Sequence, residues 1–482
     1  MTEAEKLTPS LLEAQSQGGD TAETGFDFQT NLLICKIPFW LSFEGFDSLI
    51  REAVADFESK FFSPSNGLIR EAVEAKNHFM APTEFWEEID RFMEIDEGSP
   101  GVFGHFTLCC CGISDTLKPI IIGLRRIRDP QPFYDPSSYI VENSYMNFVN
   151  RVRKLKKDEK VAKFLYEKVL IEPIWNMNND EGTSAGMFRS QMERHLSQYG
   201  EVPSKEFANI HQALLALLRS NKAHPITRKQ IEDTINSAIS EKFRPLPAPI
   251  VISTEVEPLT EKNVSFQFEW ESYFGGISRN YPSAQKWNEG MVPQLYETAE
   301  WIKTNRNSRH IVLKGNRRIS SAVAFGKVFS AVAGFSVDME YRGEIWSTNQ
   351  YANVDTPGYE FFESYLSGKG DTLIVTIGIM KDNLATEVEK FTKDNDLTDY
   401  PILHLHSLQP ILSAKQANIA VGEMKNIITR VVSACGAKRI NFFYAGPTHL
   451  ALFFGHRANA LPPIQCFEWI APNEYVATCL IR

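Results

Sequence analysis

Four strand-length, mainly apolar stretches in the second half of the chain place the strongest constraint on its fold. They lie at 310–315, 372–380, 401–405 and 440–444, and helix-forming segments at 319–335 and 384–394 follow the first two. A strand that is apolar on both faces must be covered on both faces, which is typical of parallel sheets flanked by helices. We therefore predict an α/β fold here, with two Rossmann-like lobes related by weak twofold character.

A Pro-rich segment at 244–249 interrupts the pattern and predicts a stiff linker. Upstream, residues 1–145 mix strand and helix patterns, and 146–243 are predicted to be mostly helical. Thr227 and Gln230 form a capping-box signal ahead of an apolar stripe at 231–239. The predicted domains are 1–145, a helical extension at 146–243, a linker and lead-in at 244–264, and a C-terminal domain at 265–482.

An acidic pattern near the start of the chain predicts a catalytic site. Asp56 and Glu58 are two apart, as are Glu74 and Lys76, and residues with this spacing share one face of a strand. The Ser63–Gly67 turn predicts a hairpin that brings Asp56, Glu74 and Lys76 together. Clustered carboxylates favour a hard cation such as Mg²⁺, and an adjacent lysine can orient water or stabilise phosphate charge, as metal-assisted phosphodiester hydrolysis requires.

Two alternatives remain open for this pattern. An exposed strand face with alternating charges has the same spacing and carries no chemistry. Glu52 and Glu58 also flank Asp56, so the sequence leaves open whether either of them joins the metal site.

Net charge limits where nucleic acid could bind. The formal net charge of −10 argues against nonspecific nucleic-acid affinity across the whole surface. One basic stretch, at 151–168, has apolar side chains interleaved near helical spacing. We predict an amphipathic helix with a solvated basic face, and a DNA-contact helix is the alternative.

Composition indicates a soluble globular protein, with 43% hydrophobic and 23% charged residues. The sequence contains no apolar span of 18 residues and no signal peptide at its polar N-terminus, so we expect no membrane contact.

Its 7 cysteines, three of them adjacent at 109–111, suit no disulfide framework and indicate a reduced cytoplasmic protein. We interpret 107–111 as a buried strand, and His404 and His406 as core histidines.

The order of helix, acidic strand and Glu-x-Lys strand resembles the PD-(D/E)xK nuclease core. More closely, Gly25-Phe-x-Phe-Gln29 with Asp56 and Glu74-x-Lys76 resembles the nuclease domain of SAVED-domain effectors in bacterial CBASS anti-phage systems. The resemblance implies that Asp56 and Glu74 hold Mg²⁺, that Lys76 positions water or stabilises charge, and that Gln29 completes the site. Glu74 departs from the Gln that is often found there.

The C-terminal region carries the more specific resemblance. Residues 440–447, then Ala451, Gly455 and 464–469, resemble the end of a SAVED domain, and the resemblance extends over roughly 265–482. It implies a pair of fused CARF-like lobes and a receptor for a cyclic oligonucleotide.

Ligands of open α/β sheets bind beyond the carboxyl ends of the strands, which selects the candidate binding residues. Loops at these positions supply cations, backbone N–H groups and a hydroxyl, and an aromatic ring nearby could stack a base. For several of the candidate residues, the alternative interpretation is an ordinary surface cation or a core residue. The candidates are Lys314, Arg317, Arg318, Trp346, Lys381, Pro447 and Thr448.

Together, the two resemblances imply a bacterial cytoplasmic antiviral effector. A cyclic oligonucleotide, which we expect to be a cyclic trinucleotide, would bind the SAVED domain and activate Mg²⁺-dependent cleavage of double-stranded DNA by ligand-induced self-association. The alternatives are a restriction-type endonuclease that needs no cyclic nucleotide and a nucleotide-binding protein without catalysis. The messenger's bases and linkage and the DNA sequence preference are left open.

Overall fold

A computed structural model describes residues 14–128, 138–173, 181–222, 224–254, 264–275, 280–315 and 317–482. The chain divides into two compact units, one of residues 1–62 and 68–246, the other of residues 63–67 and 247–482. The main division, between Leu246 and Pro247, lies inside the Pro-rich segment. No helix of the described residues combines the length and the hydropathy that crossing a membrane requires.

The first unit is built on a six-stranded sheet with the order β5-β4-β3-β2-β1-β6. The hairpin predicted around Ser63–Gly67 is present as β2 and β3, and β4 contains the buried strand predicted at 107–111. Two short strands, β5 and β6, extend the sheet at its edges, although the pattern of 146–243 predicts mostly helix. The strands are β1 (Phe46–Arg51), β2 (Phe57–Ser63), β3 (Gly67–Met80), β4 (Phe103–Ile113), β5 (Val169–Pro173) and β6 (Ile226–Thr227).

Helices cover both faces of this sheet. Neighbouring strand residues alternate between two cores, so Val73 packs with α1 and α6–α8, whereas Ala72 packs with α2–α5. The helices are α1 (Ala14–Ser42), α2 (Pro82–Gly98), α3 (Lys118–Arg128), α4 (Ser138–Lys154), α5 (Glu159–Lys168), α6 (Glu181–His195), α7 (Ser204–Ser220) and α8 (Arg228–Ser237). The predicted capping box is confirmed at the start of α8, where Thr227 and Gln230 bond reciprocally.

The basic stretch 151–168 is not one helix, and that prediction was wrong. α4 ends at Lys154 and α5 begins at Glu159. Between them Lys156 adopts a left-handed backbone with φ of 62°, and the Asp158 side chain accepts a hydrogen bond from the N–H of Val161 at 3.0 Å. Asp158 is therefore a helix N-cap, a local signal that the spacing of apolar residues does not reveal.

The second unit contains two mixed sheets, with the orders β11-β10-β9-β7-β8 and β12-β14-β13-β15-β16-β17. β7 lies beside β9 inside the first of these sheets, so the predicted lead-in 244–264 is not all linker. The strands are β7 (Ile250–Ser253), β8 (Phe266–Gln267), β9 (His310–Lys314), β10 (Ser336–Tyr341), β11 (Glu344–Ser347), β12 (Phe362–Leu366), β13 (Thr372–Ile379), β14 (Ile402–Ser407), β15 (Arg439–Ala445), β16 (Ile464–Ala471) and β17 (Glu474–Ile481).

The helices of this unit follow the strands as the sequence pattern predicts, with one difference in length. α12 ends at Val328 rather than near residue 335, because a separate 3₁₀ turn occupies Ala331–Ala333. The helices are α9 (Glu271–Phe274), α10 (Ala284–Lys286), α11 (Val292–Asn305), α12 (Ile319–Val328), α13 (Leu384–Asp394), α14 (Ala414–Cys435) and α15 (Thr448–Arg457).

An internal structural repeat accounts for the predicted twofold character. One copy is β9-α12-β10-β11 and the other is β15-α15-β16-β17. In each copy the strand before the helix pairs in parallel with the strand after it, and that strand pairs antiparallel with the next. The central parallel pairs β13–β14 and β13–β15 complete the second lobe. The prediction of two α/β lobes is thus confirmed.

The two repeats meet where α12 crosses α15 at a pair of glycines. A Cβ atom placed on Gly326 would lie 2.2 Å from the carbonyl oxygen of Leu452, and one on Gly455 would lie 2.2 Å from that of Val323. Only glycine allows the two backbones to come this close.

Each of these helices also supplies a hydrogen bond to the C-terminal end of the other. The Lys327 ammonium donates to the carbonyl oxygen of Ala458 at 2.8 Å, and His456 Nδ1 donates to that of Phe329 at 2.7 Å. Because the last carbonyls of a helix have no partner within it, these two contacts satisfy groups that the crossing buries. The crossing is therefore held by matching contacts from both repeats.

We predict that Gly326→Ala destabilises the second unit, because the added methyl would overlap backbone atoms that cannot move alone. Overpacking of this kind typically costs about 1–3 kcal/mol. Hydrogen–deuterium exchange of the full chain, followed by mass spectrometry, should show faster exchange in the peptides of α12 and α15.

The matched control is Gly422→Ala, since Gly422 lies within α14 and a Cβ atom added there would meet no other atom within 4 Å. An alanine there should stabilise the helix by roughly 0.5–1 kcal/mol. Equal exchange rates in Gly326→Ala and wild type would contradict the close crossing.

Candidate functional site

The predicted catalytic residues of the first unit converge around Asp56. One carboxylate oxygen of Asp56 accepts a hydrogen bond from the Gln29 amide at 2.7 Å, and the other accepts one from the backbone N–H of Ala75 at 2.7 Å. Gln29 lies on α1 and Ala75 lies on β3 between Glu74 and Lys76. The structure therefore brings together α1, the loop before β2, and the Glu-x-Lys strand.

Glu74 and Lys76 share one face of β3, as the spacing predicts. The Lys76 ammonium lies 3.0 Å from Glu74 Oε1, and Glu74 is only 8% exposed. A lysine held beside a carboxylate in this way stays charged and fixed in position, which suits a group that faces a phosphate.

Two residues of α2 complete the cluster, and neither was among the residues predicted from the sequence. Glu88 accepts from Lys76 at 2.7 Å and from Arg91 Nε at 2.9 Å, while Arg91 Nη2 contacts Glu74 Oε2 at 2.5 Å. Glu74, Lys76, Glu88 and Arg91 thus form a closed ring of alternating charges, which we call the charge ring. The available signal was the Glu88-x-x-Arg91 spacing, which places both side chains on one face of the helix that follows β3.

Burial and the charges within the cluster shift the pKa values of its members. The pKa of Asp56 is raised to about 6, first by burial and then by the nearby charge of Glu74, which together outweigh the Ala75 N–H and the neighbouring cations. Burial would lower the pKa of Lys76, but its bonds to Glu88 and Glu74 raise it overall. Burial would raise the pKa of Glu88, but Lys76 and Arg91 lower it overall.

The donor chemistry of Asp56 and Glu74 fits a hard divalent cation. Both are carboxylates, and the charge of Glu74 disfavours ionisation of Asp56, a cost that a cation between them would remove. Among the described residues, no group of three or more His, Cys, Asp or Glu side chains is arranged to hold a metal. As carboxylates, Asp56 and Glu74 suit Mg²⁺, which keeps several waters and needs only one or two protein carboxylates.

The prediction that Asp56 and Glu58 share a strand face was wrong. Asp56 precedes β2, in a loop where the Glu52 N–H donates to the Asp56 carbonyl at 2.9 Å. Glu58 is buried and accepts from the Val54 N–H at 3.0 Å and from Arg70 at 3.4 Å. The Glu52 side chain is exposed. The contacts of Glu58 are thus with Val54 and Arg70, outside the charge ring.

The basic residues of 151–168 are largely paired within the first unit. Lys157, Lys160 and Lys168 contact Asp90, Glu97 and Asp96 of α2 at 2.9, 2.5 and 2.5 Å. Their charges are therefore partly balanced by α2, which favours the solvated-face interpretation over a DNA-contact helix.

In the second unit, Arg317 and Arg318 follow β9 but are tied to the protein. Arg317 donates to the Gly315 carbonyl. Arg318 lies 3.6 Å from Glu468 and its guanidinium covers the rings of Phe274 and Tyr281 at 4.7 and 4.6 Å. Arg318 thus anchors the start of α12, and the prediction that it is a cation available for phosphate is not supported by this arrangement.

Trp346 is a core residue, so the prediction that it is a stacking platform for a base was wrong. Its ring is 4% exposed and packs edge-on against Tyr341 at 5.2 Å and against His449 at 4.3 Å. His449 lies in the first turn of α15, so this contact joins the hairpin of one repeat to the helix of the other. Trp346 is therefore buried by contacts between the two repeats, which no local sequence pattern reveals.

Lys381, Pro447 and Thr448 are brought to the same sheet edge. They follow β13 and β15, whose carboxyl ends pair in parallel at Gly378 and Ala445. Lys381 is 37% exposed and lies 3.5 Å from Glu387, and Thr448 is the first residue of α15, after Pro447 at its N-cap. Lys314 ends β9 in the first lobe. This edge carries a cation, a hydroxyl and the N-terminus of a ten-residue helix, which together suit an anionic ligand.

His404 is buried, as predicted, whereas His406 is only half-buried. His404 Nδ1 is 2.7 Å from the Thr376 hydroxyl and His404 Nε2 is 3.2 Å from Glu389, while His406 stacks on Phe362. All 7 cysteines are free thiols.

Comparisons with known proteins address both units. A family model described as the SMODS-associated and fused to various effectors sensor domain, SAVED, matches residues 294–481. The CD-NTase-associated protein 4 of Moraxella osloensis is 27% identical over 474 residues, covering 98% of this chain and 99% of the relative, and that of an Acinetobacter species matches equally.

Solved structures match nearly the whole chain as well. The Acinetobacter baumannii Cap4 SAVED/CARF-domain containing receptor with the cyclic trinucleotide 2′3′3′-cAAA superposes with a TM-score of 0.81 at 24% identity, covering 95% of this chain and 98% of that one. The Moraxella osloensis Cap4 receptor gives 0.75 at 25% identity, covering 95% and 99%. The α/β fold is thus shared, residues 294–481 match the SAVED sensor-domain model, and nearly the whole chain is similar to CD-NTase-associated protein 4.

Proposed function

We propose that this protein is a CBASS antiviral effector whose SAVED domain binds a cyclic trinucleotide and whose first unit then cuts double-stranded DNA with Mg²⁺. The observation that carries the proposal is the convergence of Gln29, Asp56, Glu74 and Lys76 in a chain that also has a SAVED domain. The cyclic tri-adenylates in the Acinetobacter baumannii Cap4 structures support a messenger of this ring size.

The first unit supplies the groups that phosphodiester hydrolysis requires. Bound Mg²⁺ would polarise the scissile phosphate and lower the pKa of an attacking water. Asp56 and Glu74 would hold it, and the Gln29 and Ala75 N–H groups fix the Asp56 carboxylate for that task. Lys76 would orient the attacking water or stabilise the negative charge that develops on the phosphate.

The second unit supplies a surface for a cyclic ligand that carries phosphates. Lys381 and the first turn of α15, with Thr448, lie beyond neighbouring strand ends, where α/β sheets bind ligands. Lys314 is the last residue of β9, at the corresponding strand end of the first lobe. We assign these residues, with Pro447 at the helix N-cap, to the ligand site, and Arg318 to the support of α12.

Self-association would explain how a single-site nuclease cuts both strands. One Asp56–Glu74 centre acts on one strand at a time, whereas two centres related by symmetry can cut opposite strands. We propose that the cyclic nucleotide drives this association and that the nuclease stays off without it.

The proposal and two alternatives predict different results for DNA cleavage. A restriction-type endonuclease would use the same carboxylates but cut DNA without a cyclic nucleotide. A nucleotide-binding protein without catalysis would cut under no condition, and the charge ring would then serve only to hold β3 against α2.

We predict that Lys76→Ala abolishes DNA cleavage and leaves affinity for cyclic tri-adenylate unchanged. Lys76 contacts Glu74 and Glu88 in the first unit and belongs to no part of the SAVED domain. Plasmid cleavage with Mg²⁺ and nucleotide, together with calorimetric titration of the nucleotide, measures both properties.

Lys163→Ala is the matched control, because Lys163 is an exposed lysine of α5 whose contact with Glu167 is long, at 3.8 Å. It should cut at the wild-type rate. Wild-type cleavage by Lys76→Ala would remove Lys76 from the active site, and chelation of Mg²⁺ should stop the native enzyme.

For the sensor, we predict that Lys381→Ala weakens binding of cyclic tri-adenylate by roughly tenfold, since a charge-assisted contact contributes about 1.5–3 kcal/mol. Activation should then require correspondingly more nucleotide, while cleavage at saturating nucleotide should recover. Lys390→Ala, which removes a lysine of α13, should leave the affinity unchanged. Equal affinities for the two variants would place the ligand elsewhere, with Lys314 as the next position to change.

A further inference from the structure

A metal ion that binds the Glu74 carboxylate would have to displace a cation of the charge ring. Lys76 contacts one of its carboxylate oxygens at 3.0 Å and Arg91 contacts the other at 2.5 Å. Both oxygens of a residue predicted to bind Mg²⁺ are therefore already engaged by cations of the same chain. Since like charges compete for one carboxylate, metal binding and the Arg91 contact oppose each other.

The contacts of Arg91 allow it to leave Glu74 without leaving the site. Arg91 uses Nη2 toward Glu74 and Nε toward Glu88, at 2.9 Å, and its side chain is 37% exposed. Lys76 likewise reaches Glu88 at 2.7 Å. Glu88 can thus keep both cations when Glu74 turns to another partner. Its side chain is 13% exposed and it lies on α2, which is fixed to the core by Phe85, Ile89 and Phe92.

We propose that Arg91 is a built-in counter-ion that occupies Glu74 until a divalent cation displaces it, and that Glu88 is the positioning residue that receives it. This inference rests on the proposed metal-dependent nuclease. It adds two residues of α2 to the predicted Asp56, Glu74 and Lys76, and it gives them opposite effects: Arg91 weakens cation binding and Glu88 strengthens it.

The test measures cation binding alone, without DNA or nucleotide. Mn²⁺ is titrated calorimetrically into the metal-free full-length protein. Arg91→Ala should bind Mn²⁺ about three- to fivefold more tightly than wild type, the range that a partly exposed ion pair supports. Glu88→Gln should bind it more weakly, because Arg91 and Lys76 then have Glu74 as their remaining carboxylate in the ring.

Arg70→Ala is the matched control. Arg70 is also a partly exposed arginine, at 40%, that pairs with a carboxylate of the same sheet, but its partner is Glu58. Its replacement should leave the Mn²⁺ affinity unchanged. Circular dichroism of each variant should match wild type, because the buried side chains that fix α2 to the core, Phe85, Ile89 and Phe92, are left unchanged.

The outcomes separate this inference from the proposed function. Binding that is lost in Asp56→Ala but equal in wild type and Arg91→Ala would overturn the counter-ion role and leave the metal site intact. Weaker binding in both Arg91→Ala and Glu88→Gln would also overturn it, since a ring that merely shapes the site loses affinity whichever member is removed. Absence of Mn²⁺ binding in wild type and Arg91→Ala alike would contradict the metal site itself.

Discussion

The crossing of α12 and α15 is the constraint on which the second unit depends. Gly326 and Gly455 allow the helix backbones to touch, and Lys327 and His456 then satisfy the carbonyl groups at the ends of the opposite helices. Because the two glycines occupy equivalent positions in the two repeats, the contact imposes twofold character on the strands that precede and follow each helix. The strand ends that carry the candidate ligand residues are positioned as a consequence.

The same crossing carries the first turn of each helix to the hairpin of the other repeat. His449 packs on Tyr341 and Trp346, while Ser320 bonds to Thr478 at 2.6 Å. The repeats are therefore alike in topology and different in chemistry. The first turn of α15 packs against aromatic rings, whereas α12 begins at an ion pair between Arg318 and Glu468. A ligand that contacts both strand edges would meet two different environments, which suits recognition of bases as well as phosphates.

Sequence patterns were informative where the signal was local or periodic. Continuous apolar strands identified the parallel sheets, and the Ser63–Gly67 turn and the Glu74-x-Lys76 spacing located the hairpin and the shared strand face. They failed where contacts between residues far apart in the sequence determine the position of a side chain. Trp346 is buried by His449 of the other repeat, Arg318 is held by Glu468, and the strand assigned to Asp56 is a loop held by a backbone bond from Glu52. The Glu88-x-x-Arg91 spacing places both side chains on one face of α2, but the charge ring itself could not be predicted because it needs α2 folded onto β3.

The central claim is that a cyclic trinucleotide activates DNA cleavage by the Asp56–Glu74–Lys76 centre. The most direct measurement incubates the purified protein with supercoiled plasmid and Mg²⁺, alone and with each member of a panel of cyclic oligonucleotides. The account predicts linear and smaller products only when Mg²⁺ and a cyclic trinucleotide are both present. Cleavage at the same rate without nucleotide, or no cleavage with any member of the panel, would contradict it.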